Sequence, residues 1–266
     1  MHFFNRNLFV GSPTKELEEL NKKEQPKWLL YKSYIKENQE YRDNPKTIIK
    51  PDQVKMPSNY WNSDSIRLPL ITFFESNCGY CGIYCDKNND GEVDHHFPKE
   101  LDEKAEKIYL WDNYVWSCHS CNNKKRNHSP LLDPCQKHEM GCIIFSPTTG
   151  NYDINLEASV SADIIEKYEL TVIYTFINGK KRPNSRRLIY KQMLNQHMQM
   201  LKTYYKLLPL LVENTPEFDL IQKSLLNEEN EFREFINEGN YLALKRYIFN
   251  LYKSSYSIPY NFEYFT

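Results

Sequence analysis

Residues 91–99 read GEVDHHFPK: Asp94 beside two adjacent histidines, His95 and His96, with a proline closing the stretch. A carboxylate is a hard ligand for a cation, and a neutral imidazole can take a proton near pH 7. Two cysteine pairs flank this stretch. NCGYCG supplies Cys78 and Cys81, and SCHSCNN supplies Cys118 and Cys121. Two-residue spacing lets both sulfurs of a pair reach one ion from a tight turn, and two such pairs complete a tetrahedral Zn²⁺ site. The segment between the pairs contains all of GEVDHHFPK, so the clip would close a loop around it. A redox dithiol needs only one pair and a βαβ pattern, which this sequence lacks. Cys85 competes with Cys81 for a ligand position, whereas Cys135 and Cys142 read as buried packing thiols.

Two amides extend the constellation: Asn113 in LWDNYVWS and Asn122 directly after Cys121. The order Cys-x-x-Cys, Asp-His-x-x-Pro, Asn, Cys-x-x-Cys-Asn-x-x-Lys, over residues 76–134, resembles the HNH endonucleases, whose ββα-metal core holds a nuclease site between two strands and a helix. The resemblance implies that Asp94 and Asn122 hold a catalytic Mg²⁺ or Mn²⁺ and that His95 is the general base. It implies that Asn113 fixes the loop orienting His95, and that Lys125 sits one helical turn from Asn122. The commonest pattern has His where Asn122 stands, a substitution also found within the family. IRLPLITFFESNCGYCG, YLWDNYVWSCHSCNNKKRN and PLLDP further resemble a narrower group, the PtuB-like HNH nucleases of Septu-type anti-phage defence, which implies an ATPase partner.

The chemistry also stands on the residues themselves. Phosphodiester hydrolysis needs an activated water and neutralisation of charge on the phosphate and leaving oxygen. A His with pKa near 6.5 suits the first task. A carboxylate and an amide oxygen suit a hydrated Mg²⁺ for the second. CNNKKRN reads as a helix opening at Asn122, its N-terminus favouring an anion, with Lys124, Lys125 and Arg126 adding phosphate contacts. Strand alternation opposes this scheme, because it sends Asp94 and His95 to opposite faces unless the chain bends before Pro98. The His-x-x-Pro spacing selects His95 over His96 as base. Asn113 is otherwise a turn residue, His119 faces solvent, and His128 is a supplementary ligand or an exposed side chain.

The 266 residues are 40% hydrophobic and 26% charged, a folded composition, with a formal net charge of -1. Nucleic-acid binding would therefore need a local basic patch. The N-terminal stretch lacks a signal-peptide core, and no apolar run is long enough to span a bilayer, so a cytoplasmic location is expected. The organisation reads as α+β: a helical region over 1–75, the zinc-clipped ββα-metal core over 76–150, and a mostly helical region over 151–266. A first helix shows spacing at Leu17, Leu20, Leu29, Leu30 and Tyr34 with an interruption at Pro26, followed by an irregular connection at Pro45, Pro51 and Pro57. A second helix presents Ile66, Leu70, Phe73 and Phe74 to the core. Further on, Ile189, Met193, Met200 and Tyr204 form one helical stripe, flanked by Leu194, Leu201 and Leu208, and two more helices break near Gly239. The basic stretch from Lys180 to Lys191 reads as a surface for nucleic-acid phosphate or an acidic partner, or as the basic face of a packed helix. DNA is the favoured substrate; an RNase and a non-catalytic zinc-stabilised binding module are the alternatives.

Overall fold

GEVDH and YVWSC, rich in β-branched and aromatic residues, pair antiparallel as β1 (Gly91–His95) and β2 (Tyr114–Cys118), with Asp94 opposite Val115 and His95 opposite Tyr114. Gly91 is required at the start of β1, since a Cβ there would lie 2.1 Å from the Trp116 ring. The computed structural model describes residues 3–38, 57–88, 90–155, 157–179 and 181–258; Pro45, Pro51 and Lys180 lie outside the described residues. Among the described residues two short two-stranded sheets sit among helices, an α+β arrangement.

Helix α1 (Thr14–Glu37) and helix α2 (Asp64–Phe73) pack onto the β1–β2 hairpin in one hydrophobic core that also contains the four paired cysteines. The expected interruption at Pro26 does not occur: α1 runs through it. A proline removes one hydrogen bond and crowds the preceding turn, but Leu17 and Trp28, both buried, anchor the helix on either side. Its buried stripe is Leu17, Glu24 and Trp28, while Leu29 and Leu30 are exposed. Helix α2 buries Ile66, Leu70, Phe73 and the following Phe74, as its spacing requires.

Helix α3 (His119–Lys125) follows β2 directly. It starts three residues before the expected Asn122, because Cys118 is its N-cap and the second Cys-x-x-Cys forms its first turn. After α4 (Lys137–Gly141), β3 (Ile143–Phe145) and β4 (Tyr152–Ile154) form the second hairpin. Helices α5 (Ala162–Tyr174), α6 (Arg182–Gln192), α7 (Gln199–Leu207), α8 (Pro216–Asn237) and α9 (Leu242–Tyr252) contribute to a second core.

A π-helical turn, Met193–Met198, joins α6 to α7. The extra residue in such a turn rotates the helix beyond it. The buried set is therefore Met193, Leu194, Met198 and Leu201, and Met200, expected in the core, is 42% exposed. Between α8 and α9 the chain is left-handed at Gly239, φ +73°, and again at Tyr241, φ +60°. Among the described residues no helix is long and apolar enough to cross a membrane.

Candidate active site and metal centre

The first Cys pair lies in the turn after α2, and the second spans the β2–α3 junction. β-Hairpin pairing brings them together, with the Gly79 N–H donating to the Trp116 carbonyl at 2.8 Å. The Sγ atoms of Cys78, Cys81, Cys118 and Cys121 all lie within 4.8 Å of one another, and all four residues are buried. The Cys81–Cys118 separation is 3.9 Å, close to the edge of about 3.8 Å expected of a tetrahedron with Zn–S bonds of about 2.3 Å.

Burial lifts the Cys81 thiol, and hydrogen bonding with Cys118 lifts that of Cys121. At Cys78, bonds from the other three sulfurs outweigh burial and hold the thiol low. Four buried sulfurs this close cannot all ionise without a cation between them, and the set fits Zn²⁺. The Arg182 guanidinium donates to Cys118 Sγ at 3.5 Å and the Phe176 N–H to Cys121 Sγ at 3.4 Å, both favouring thiolate. Cys85 is buried outside this cluster, where burial raises its thiol pKa. Cys135 and Cys142, expected to be buried, are half-buried.

Asp94, His95 and Asn122 line one cleft of about 700 Å³, together with Trp61, Lys99 and Arg126. Asp94 is buried: its Oδ2 accepts from the Tyr80 hydroxyl at 2.6 Å and its Oδ1 from Lys125 Nζ at 3.1 Å. Burial raises the Asp94 pKa against the opposing pull of Lys125 and Tyr80. His95, on the other face of β1, lies edge-on to Trp61 and Tyr114, with ring centroids at 4.8 and 5.3 Å. Its Nε2 is 3.0 Å from the Ile108 carbonyl, an acceptor, which places the proton on Nε2 and leaves Nδ1 as the basic nitrogen. Burial first, and then Lys99, push its pKa down to about 3, well below the ordinary value near 6.5 expected from sequence. His96 shares the Asp94 face, 3.4 Å from the Tyr80 hydroxyl.

Asn113 is buried beneath the turn that leaves β1. Its Oδ1 accepts from the Phe97 N–H at 2.7 Å, and its Nδ2 donates to the carbonyls of Phe97 and Lys107 at 3.0 and 2.9 Å. Asn122 is half-buried, its Nδ2 donating to Glu92 Oε2 at 2.6 Å. Glu92 Oε1 also pairs with His119 Nδ1 at 2.7 Å. Asp94 and Asn122 both line the cleft, and a carboxylate with an amide oxygen is a donor set that fits Mg²⁺ or Mn²⁺ rather than a thiophilic ion.

The three basic residues after Asn122 diverge. Lys125 is fully buried and also donates to the His95 carbonyl at 2.7 Å, so its ammonium faces the protein interior and not solvent. Lys124 donates to the Thr175 carbonyl at 2.8 Å. Arg126 is exposed at the cleft with φ +48°. His119 is exposed, as expected, though paired with Glu92, and His128 stacks on Tyr174 at 3.5 Å. In the basic stretch, Arg186 is fully buried and bonded to the Gly150 and Ile177 carbonyls. Tyr80 and Glu92 were missed from sequence, although each has a positional signal: Tyr80 lies inside the first Cys pair, and Glu92 is two residues before Asp94 on the same strand face.

No protein-family model matches this chain, and no solved structure matches it. The chain is similar to the Septu protein PtuB of Bacillus thuringiensis, at 31% identity over 78 residues. That match covers 29% of this chain and 30% of the PtuB protein.

Proposed function

We propose that this chain is a metal-dependent HNH-type endonuclease that hydrolyses phosphodiester bonds, with DNA favoured over RNA, in anti-phage defence alongside an ATPase partner. The observation that carries the reading is that Asp94, His95 and Asn122 all line one cleft in a chain that also holds a four-cysteine cluster. The partial similarity to a Septu protein supports the defence context and, with it, the partner.

Asp94 and Asn122 would hold the catalytic cation. Bound there, Mg²⁺ or Mn²⁺ supplies charge neutralisation at the phosphate and leaving oxygen. His95 accepts the proton of the attacking water at Nδ1, since the Ile108 carbonyl retains the Nε2 proton. Asn113 holds the turn after His95 through both ends of its amide. Lys125 ties the Asp94 carboxylate to the His95 backbone, and so fixes two cleft residues relative to each other. Arg126, exposed at the cleft, contacts substrate phosphate.

A zinc-stabilised binding module without catalysis is the second reading. It is favoured by two observations: both Asp94 oxygens already accept hydrogen bonds, and burial holds His95 near 3, a weaker base than an ordinary imidazole. Incubating plasmid DNA and total RNA with the protein and Mg²⁺ or Mn²⁺ separates the two. Cleavage of DNA by the wild type, lost in His95→Ala, supports the nuclease; binding without cleavage of either substrate supports the module; cleavage of RNA alone makes it an RNase.

A further inference from the structure

We infer that Glu92 is a positioning residue that sets the amide of Asn122 so that its oxygen, and not its nitrogen, is offered to a cation in the cleft. This rests on the proposal that Asp94 and Asn122 hold a divalent metal.

Helix α3 fixes the backbone of Asn122 from both sides. Cys121, just before it, is fully buried in the sulfur cluster, and Lys125, three residues on, is fully buried against Asp94. What remains to be set is the rotation of the side-chain amide. The two ends of an Asn amide have nearly the same shape, so packing alone does not choose between them. Glu92 does. A carboxylate only accepts hydrogen bonds, and Glu92 Oε2 lies 2.6 Å from Asn122 Nδ2. Turning the amide over would set two oxygens against each other at that distance. The nitrogen is therefore committed to Glu92, and Oδ1 is the atom left to act as a ligand.

Glu92 is itself held. β-Strand alternation puts it on the same face as Asp94, and its other oxygen is 2.7 Å from His119 Nδ1. Through these two contacts Glu92 is anchored to the first turn of α3, where it lines the same cleft as Asp94 and Asn122.

The test is Mn²⁺ binding by the full-length, zinc-loaded protein, read by electron paramagnetic resonance without nucleic acid. Glu92→Ala should weaken Mn²⁺ binding ~10–100-fold, the range for losing a group that orients a metal ligand, with zinc content and thermal midpoint unchanged. Glu92→Gln should recover part of the binding, because its amide oxygen can still accept from Asn122 Nδ2, although its own NH2 no longer forbids the reversed amide. Wild-type affinity in Glu92→Ala, with binding lost in Asp94→Ala, would overturn the role of Glu92 and leave the metal site standing. Binding as weak in Glu92→Gln as in Glu92→Ala would show that the charge acts, and would overturn positioning. Mn²⁺ binding unaffected by Asp94→Ala would overturn the metal site and this inference together.

Discussion

Lys125→Met tests whether the Lys125 ammonium belongs to the interior of the site or to its nucleic-acid surface. The ammonium is fully buried and donates to Asp94 Oδ1 at 3.1 Å and to the His95 carbonyl at 2.7 Å. Methionine fills most of the volume but strands a buried carboxylate whose other hydrogen-bond donor is Tyr80. Removing one partner of a buried ion pair costs about 3–5 kcal/mol. Protonation of Asp94, whose pKa burial already raises, relieves part of this. A net loss near the lower end, about 3 kcal/mol, lowers the thermal midpoint by about 6–12 °C for a chain of this size.

The sign of the pH dependence comes from the same carboxylate. Without Lys125 its folded pKa rises further above the unfolded value, so the variant loses stability as pH rises through that folded pKa. The deficit should therefore be larger at about pH 8 than in acid, and Asp94→Asn added to Lys125→Met should recover part of it. Thermal denaturation across pH reads both effects. A phosphate contact behaves differently: its removal lowers the slope of log binding constant against log salt by about 0.9 and leaves the fold alone. A Lys125→Met protein with wild-type stability and that reduced slope would refute the buried pair. Arg126→Ala, by contrast, is expected to show the reduced slope.

Purified protein should carry about one Zn²⁺ per chain by mass spectrometry, lost with destabilisation in Cys78→Ser or Cys118→Ser and retained in Cys85→Ser; a folded, zinc-free preparation would refute the cluster as a zinc site. His95→Ala should slow cleavage ~10²–10⁴-fold and His96→Ala far less, and the reverse ranking would make His96 the base. His95 is held near 3 in the fold against about 6.5 unfolded, so the unfolded chain binds the extra proton between those values. Its contribution to stability is full above about pH 6.5 and is lost as pH falls toward 3. Nitrogen NMR should show the Nε2–H tautomer down to about pH 5, and a midpoint between 6 and 7 would refute the burial argument. Leu201→Ala should cost about 2–5 kcal/mol and Met200→Ala within about 0.5 kcal/mol by chemical denaturation; equal costs would remove the π-turn register.

The parts of this fold legible in the sequence are those written in local spacing. Two Cys-x-x-Cys turns, two aromatic and β-branched strands, and the Ile66–Leu70–Phe73–Phe74 stripe each depend on neighbours within a few positions, and all of them form. The failures share a different cause. Leu29 and Leu30 compete with Trp28 for the buried face of α1, and periodicity cannot rank near-degenerate stripes; the partner surface does, through Tyr109, whose hydroxyl accepts from the Trp28 indole at 3.1 Å. The π-turn at Met193–Met198 has no single-residue signature, and the stripe drawn through it misplaces Met200, whereas Leu194 and Leu201 beside it are buried. Lys125 sits in a KKR run that reads as a solvated face, and only the approach of β1 turns its ammonium inward. In the candidate site, the type and order of Asp94, His95 and Asn122 were legible, but the low pKa of His95 was not, since it comes from burial of the ring, packed against Trp61 and Tyr114, and then from Lys99.

The inner positions of the two cysteine pairs link the clip to the cleft more tightly than their spacing alone requires. Tyr80, inside the first pair, hydrogen-bonds Asp94; His119, inside the second, pairs with Glu92. Asp94 and Glu92 are two residues apart on one face of β1, so each pair delivers one side chain to one of the two acids on that face. A turn that wraps an ion is rigid when the ion is bound, and the side chain it carries is then placed without further ordering cost. The four sulfurs thus do more than close a loop around GEVDHHFPK. They hold the donors that keep both acids in register with Asn122 and Lys125 on α3, which is why a sulfur cluster with no role in phosphate chemistry stands directly against the residues that would perform it.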